Sequence, residues 1–226
     1  MSVTGVLLCG GRGERLGPGP GKALVPLAGR PLFAWSLEAF QRSQAIATIV
    51  VVGPVSRLKA GLGAVGLGDA KVAAWREGGR ERQDSVARGL EALPADCTVV
   101  AVHDCARPLV GPDLVARVVG DALRYGAAIA AVPVTDTIKR GSLNAVETTV
   151  PRSGLWCAQT PQAFRRDWLE AAHAQADRPE TDDAALVESL GHRVHLTPGD
   201  ALNFKVTTPR HLELAEAWLT RGSARV

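Results

Sequence analysis

The chain has 226 residues, 46% of them hydrophobic and 22% charged, and a formal net charge of +3. That length permits a substantial core, and the composition is that of a globular protein rather than a disordered or fibrous one. Its basic residues are scattered, with doublets only at Lys139-Arg140 and Arg165-Arg166, which excludes a nucleic-acid-binding stripe.

The first predicted element is a short apolar strand over 3–8. It runs straight into the loop L-L-C-G-G-R-G-E-R-L-G-P-G-P-G-K of 7–22. Glycine stands at 10, 11, 13, 17, 19 and 21. Without Cβ atoms in the way, backbone N–H groups can converge on an anion, and Arg15 and Lys22 can add full positive charge. A Walker loop needs Ser or Thr after its lysine, where Ala23 stands here, and a dinucleotide fingerprint breaks at Leu16. A flexible connection carrying solvated cations would also fit. Six glycines with paired cations directly after the first strand favour a nucleoside triphosphate site.

Further strands are expected over 46–52, 71–74, 98–102 and 127–134, short runs rich in β-branched residues and without polar alternation. Such runs suit strands buried on both faces of a parallel sheet. Helices are expected between them over 31–41, 55–64, 83–93 and 112–124. In the last, Leu114, Val115, Val118, Val119, Ala122 and Leu123 follow helical spacing behind Pro112. Alternating strand and helix implies a parallel α/β sheet. From 135 to 159 the residues turn polar or β-branched, with turn signals at Gly141-Ser142 and 151–154. This reads as a β arm too small for its own core, for which a second subunit is the natural support. Helices resume over 163–176 and 183–190, a strand follows over 193–196, and a last helix starts at Thr208-Pro209. One domain over 1–226 with an arm is the expected organisation.

Cys9, Cys97, Cys105 and Cys157 form neither a C-x-x-C pair nor a zinc pattern, so buried free thiols in a reducing cytosol are expected. The start carries no basic leader, and no apolar run approaches the ~20 residues that span a bilayer. A soluble cytoplasmic protein is the expectation.

Two further segments carry chemistry. G-G-R-E-R-Q-D-S, 78–85, follows the third strand, where its paired glycines would let backbone approach a flat ligand and Ser85 could reach a base edge. An ordinary helix start capped by Asp84 or Ser85 fits the same residues. V-H-D-C-A-R-P, 102–108, ends the fourth strand, at the edge where open α/β sheets bind ligands. There Asp104 suits a phosphate-bound Mg²⁺ and Arg107 a second anion, with a structural Asp–Arg pair as the other reading. His103 is assigned to packing or loop hydrogen bonds.

Taken with T-D-T-I-K (135–139), R-x-x-L-W-x-x-Q-T-P-Q (152–162), T-D-D-A (181–184) and N-F-K-V-T (203–207), these segments resemble, in order and over nearly the whole chain, the 2-C-methyl-D-erythritol 4-phosphate cytidylyltransferases of the non-mevalonate isoprenoid pathway. That family's loop usually begins A-A-G-x-G-x-R. Cys9-Gly10-Gly11 here looks more like the sugar-phosphate and molybdopterin nucleotidyltransferases, and the 81–85 and 103–108 segments favour the cytidylyl branch. The resemblance implies a Rossmann-like nucleotidyltransferase fold, a mostly parallel twisted sheet with a protruding β arm, and a homodimer joined by the arms. It implies Mg²⁺-dependent transfer from CTP to the methylerythritol phosphate. By matching positions, Arg15 and Lys22 would stabilise the transition state, and Arg152 and Lys205 would hold the attacking phosphate. Cys9, Gly10, Gly11, Gly13, Gly79, Ser85 and Cys105 would bind the nucleotide, with the part played by Arg80 open. Asp104 would hold the metal, and Arg107, Thr137, Thr160 and Thr181 the acceptor. Cytidylyl transfer to another polyol phosphate, such as ribitol 5-phosphate, shares most of these motifs. A non-catalytic nucleotide-binding module is the reading from a different class.

Overall fold

A computed structural model of the chain describes residues 2–11, 13, 16, 21–178 and 180–223. Arg15, and the loop glycines at 17 and 19, lie outside the described residues. The elements begin with β1 (Ser2–Leu8), the two-residue pair β2 (Pro26–Leu27) and β3 (Arg30–Pro31), α1 (Leu32–Arg42), β4 (Thr48–Val52) and α2 (Val55–Val65). Next come β5 (Val72–Arg76), α3 (Arg82–Leu90), β6 (Cys97–Asp104), α4 (Pro112–Tyr125) and β7 (Ala127–Pro133). After these follow β8 (Ile138–Ser142), β9 (Ala145–Val150), β10 (Trp156–Arg165), α5 (Arg166–Gln175), α6 (Asp183–Ser189), β11 (His195–Pro198) and α7 (Pro209–Ser223).

Seven strands form one sheet in the order β11-β7-β10-β6-β1-β4-β5. Its strands pair in parallel except β10, which runs antiparallel to both β6 and β7. The unbroken apolar runs split by parity, as strand geometry requires. Leu7, Ile49, Val51, Val99 and Ala101 pack on one face with Phe33, Phe40 and Val115. Val6, Val50, Val52, Val100 and Val102 pack on the other with Val86, Phe164, Leu169 and Val187. Both faces are therefore covered by helices, and the strand carboxyl ends are left at one open edge. Smaller packing around Leu27, Leu32, Val206 and Ala215 ties α7 to the stretch that follows the glycine loop.

Several boundaries differ from the sequence reading. Ala163, Phe164 and Arg165 do not start a helix; they finish β10, where Ala163 pairs with both Ala101 and Ala128. Residues 156–159 likewise belong to β10 and not to the arm. The arm is the hairpin β8–β9, whose turn is Leu143-Asn144 instead of Gly141-Ser142, with φ of 47° and 65°. Positive φ at both central residues matches the twist of a two-residue hairpin, and asparagine tolerates it where leucine does so at a cost. On α4, Leu123 stands 46% exposed while the other predicted positions are buried. Three cysteines are buried as expected, but Cys157 is exposed. No helix among the described residues is long and apolar enough to cross a membrane.

Candidate active site

Parallel register brings Leu8 level with Val52 on one side and Asp104 on the other. The ladder then runs one residue further: Cys9 N–H donates to Val52 O at 2.7 Å and Cys105 N–H to Leu8 O at 3.1 Å. The glycine loop therefore leaves a rigid sheet edge. The thiols of Cys9 and Cys105 meet there, their Sγ atoms 2.8 Å apart, and burial followed by the Cys9 thiol pushes Cys105 well above the usual thiol range. A Cβ at Gly53 would lie 2.9 Å from Cys9 O, so the turn after β4 needs a glycine to lie against the loop. Lys22 closes the loop, its N–H donating to Gly11 O at 3.3 Å while Gly13 packs on its backbone.

The double-glycine segment approaches this loop from β5. A Cβ on Gly10 would find Ser85 Oγ at 3.9 Å, and one on Gly78 would find the same oxygen at 3.6 Å. Ser85 is buried; its hydroxyl accepts from Gly79 N–H at 2.9 Å and donates to Glu81 O at 3.1 Å. At Gly79 any side chain would collide, since a Cβ would sit 2.2 Å from Asp84 Cβ. The N-cap of α3 is Glu81, not Asp84 or Ser85, and Asp84 serves as the reciprocal third residue of a capping box. Arg80 is exposed beside it.

Asp104, at the end of β6, holds the charged centre. Its Oδ1 accepts from Arg82 Nε at 3.2 Å and its Oδ2 from Lys205 Nζ at 2.6 Å. Burial alone would favour the neutral acid, but Arg82 and Lys205 outweigh it and hold Asp104 ionised, well below the usual carboxylate range. Arg82 also reaches Asp183 Oδ2 at 2.8 Å, and Asp183 Oδ1 accepts from His173 Nε2 at 3.0 Å. Despite burial, these two carboxylates raise the pKa of Arg82. Beneath the centre, Asp104 N–H donates to Thr160 Oγ1 at 3.1 Å, and that hydroxyl meets His103 Nδ1 at 3.0 Å. His103 Nε2 faces Arg107 O at 3.3 Å. A carbonyl only accepts, so Nε2 carries the proton and Nδ1 accepts from Thr160. Burial lowers the pKa of His103 to about 4.

Thus the structure brings together Cys9, Gly10, Gly11, Gly13, Lys22, Gly79, Ser85, Asp104, Cys105, Thr160 and Lys205 through a continuous set of contacts. Thr160 is buried below the surface of the cluster rather than open to it. Arg107 sits close by but grips backbone: it donates to Asn203 O at 2.8 Å and to Ala158 O at 3.4 Å, anchoring the Lys205 segment to β10. Thr137 is exposed at the root of the arm, and Thr181 is exposed just before Asp182, the N-cap of α6. Arg152 donates to Thr135 O within the arm of its own chain. Arg82, Asp183, His173 and Gly53 are the members that sequence reasoning missed. For Asp104, no group of three or more His, Cys, Asp or Glu side chains among the described residues could cage an ion with it. One carboxylate completed by waters and a bound phosphate is what magnesium accepts.

The family model described as 2-C-methyl-D-erythritol 4-phosphate cytidylyltransferase matches residues 3–221. A protein of that name from Frankia casuarinae is 47% identical over 221 residues, covering 97% of this chain and 82% of its own length. One from Geobacillus kaustophilus is 43% identical over 228 residues, covering 99% of this chain and 100% of its own. The crystal structure of the Thermus thermophilus cytidylyltransferase superposes with a TM-score of 0.79 at 38% identity, over 97% of this chain and 100% of that one. The chain belongs to the 2-C-methyl-D-erythritol 4-phosphate cytidylyltransferase family, nucleotidyltransferases of isoprenoid biosynthesis.

Proposed function

We propose that this enzyme joins CTP to 2-C-methyl-D-erythritol 4-phosphate, with Asp104 at the centre of the reaction and Mg²⁺ as its metal. The acceptor's phosphate oxygen attacks the α-phosphorus of CTP. The new P–O bond forms as the bond to the β-phosphate breaks, and pyrophosphate leaves. A phosphate monoester near neutral pH carries about −1.5 to −2 charge, so the nucleophile needs no general base. It needs relief from repulsion by the triphosphate, and cations placed in advance supply that. Lys22 and Arg15 serve the triphosphate from the glycine loop. Lys205 and Arg152 take the attacking phosphate, while Arg107, Thr137, Thr160 and Thr181 shape or support the acceptor side. Gly79, Ser85 and the backbone of 9–11 take the cytidine. When bound, Mg²⁺ would lower the charge of the triphosphate, held through Asp104. The observation that carries this reading is the meeting of three separate motifs, the glycine loop, 78–85 and 102–107, with Lys205 at one sheet edge.

The working unit we infer is a homodimer joined by the arms. Leu143 is 98% exposed and Val146 65% exposed, on a hairpin exposed over most of its length, which suits a surface covered by a second copy. Free thiols at all four cysteines suit the reducing cytoplasm. Pyrophosphate release tests the function, with CTP or UTP and with either 2-C-methyl-D-erythritol 4-phosphate or ribitol 5-phosphate. CTP with the methylerythritol phosphate is expected to dominate. Cytosine's exocyclic amine and N3 invert uracil's hydrogen-bonding pattern, and each unsatisfied partner costs ~1–3 kcal/mol, so UTP should be about tenfold to a hundredfold poorer in kcat/KM. Preference for ribitol 5-phosphate would move the enzyme to that substrate. No release with any pair, despite nucleotide binding, would leave a binding module.

A further inference from the structure

Aspartate is common in the first turn of a helix, but there it usually faces water, and Asp183 does not. It is 1% exposed, yet it is ionised, held below the usual carboxylate range because Arg82 and His173 outweigh its burial. Burying a carboxylate is costly, and an apolar replacement of similar volume often serves stability as well or better. Its contacts point away from α6 toward the reaction centre. Arg82 spans the space between, with Nη2 on Asp183 at 2.8 Å and Nε on Asp104 at 3.2 Å. His173, on α5, completes the set with Nε2 on the far oxygen of Asp183 at 3.0 Å. A carboxylate only accepts, so that nitrogen carries the proton, and the imidazole cannot rotate without giving up the bond. Three links therefore run from α5 through α6 and α3 to the end of β6, and the two made by Arg82 are ion pairs.

We infer that Arg82 is a positioning residue for the transfer reaction, fixing the orientation of Asp104, and that Asp183, oriented by His173, holds Arg82 in that pose. It rests on the reading of Asp104 as the carboxylate at the reaction centre. A guanidinium left with Asp104 alone could rotate about its flexible stem toward the triphosphate. Asp183 denies it that freedom by taking the other arm of the planar fork, a geometry a lysine cannot reproduce. Asp104 is then fixed with Oδ1 on Arg82 and Oδ2 facing Lys205. The same contacts join the segments 78–85, 102–108 and 181–184, each of which supplies one member of a single charged network.

A double-mutant cycle on Asp104→Asn and Asp183→Asn tests this, with Arg82→Lys as a third variant. Each is read by kcat and KM for the acceptor, by CTP binding without acceptor, and by thermal unfolding. Asparagine keeps the shape of Asp183, and His173 can change tautomer to accept from its amide. Asp183→Asn should remain folded and lose about 10- to 100-fold in kcat, the usual cost of removing a partner that orients a reacting group, with KM for the acceptor little changed. Arg82→Lys should fall in the same range. In the Asp104→Asn background, Asp183→Asn should add little, because the group it orients is already gone. Additive losses would reduce Asp183 to a structural role and overturn the inference. So would Asp183→Asn with normal kcat, or with tighter CTP binding, which would make Arg82 a direct triphosphate ligand. Full activity in Asp104→Asn would instead defeat the reading of Asp104 itself.

Discussion

The imidazole of His103 is fully buried, tilted against the Phe40 ring with centroids 5.2 Å apart, and neutral in the folded protein at pH 7. In the unfolded chain a histidine titrates near 6.5, and in the fold burial lowers this one to about 4. Between those values the unfolded state binds more protons, so stability rises with pH across that window. The stabilisation is complete above pH 6.5 and is lost progressively on acidification toward pH 4, by roughly 3 kcal/mol in total. His103→Gln should be less stable than the parent at pH 7 but lose less on going to about pH 4.5. Denaturant unfolding at the two pH values measures this, and identical losses in both proteins would contradict it. Residues of this kind were legible in part. H-D-C-A-R-P at a strand end marked Asp104, and an apolar approach marked His103 as internal. Arg82 carried no such mark, since a single arginine in the first turn of a helix looks solvated. Its partner Asp183 lies 101 residues away in the chain.

Among the elements, β1, β4, β6 and β7 were readable because strands buried on both faces keep an unbroken apolar run. β10 was not. Gln159, Thr160 and Gln162 are buried there and satisfied by Asp200, His103 and Asp182, so the strand interior is polar, and A-F-R at its end passes for a helix start. Only tertiary partners make that stretch a strand. The polar composition of the arm marks it as an excursion, but glycine and serine are stronger turn signals than leucine, so the turn expected from sequence lies two residues early. Arg152, bonded to Thr135 O near the root of the arm, is the residue we expect to act in a partner's site. Arg15→Ala and Arg152→Ala enzymes should each be nearly inactive. Mixed and allowed to exchange subunits, they should regain activity, because each hybrid carries one intact site. Hybrids verified by tagged purification and still inactive would show that Arg152 does not work across the interface.

On the scale of the whole molecule, the arm is an insertion within a hairpin. β7 and β10 are antiparallel neighbours in register, with Trp156 opposite Pro133, and Val134 N–H donates to Leu155 O at 3.1 Å where the arm departs. Replacing residues 135–154 by Asn-Gly should therefore leave the sheet folded, since that pair closes two-residue hairpins well. The shortened protein should unfold at a temperature independent of its concentration, whereas the full chain's midpoint should rise with concentration. Equal concentration dependence in both, measured by circular dichroism, would place the association elsewhere. The closure of β7 on β10 also sets an order of events. Joining them across the arm fixes a loop whose entropy cost grows only slowly with length, and nothing in their pairing waits on the hairpin beyond. The sheet, and the crevice at its edge, can be finished while the arm is still solvated. A partner that covered the arm would meet it as one completed body docking on another, so the assembly we infer would be lost on dilution and regained on concentration without the chain having to refold.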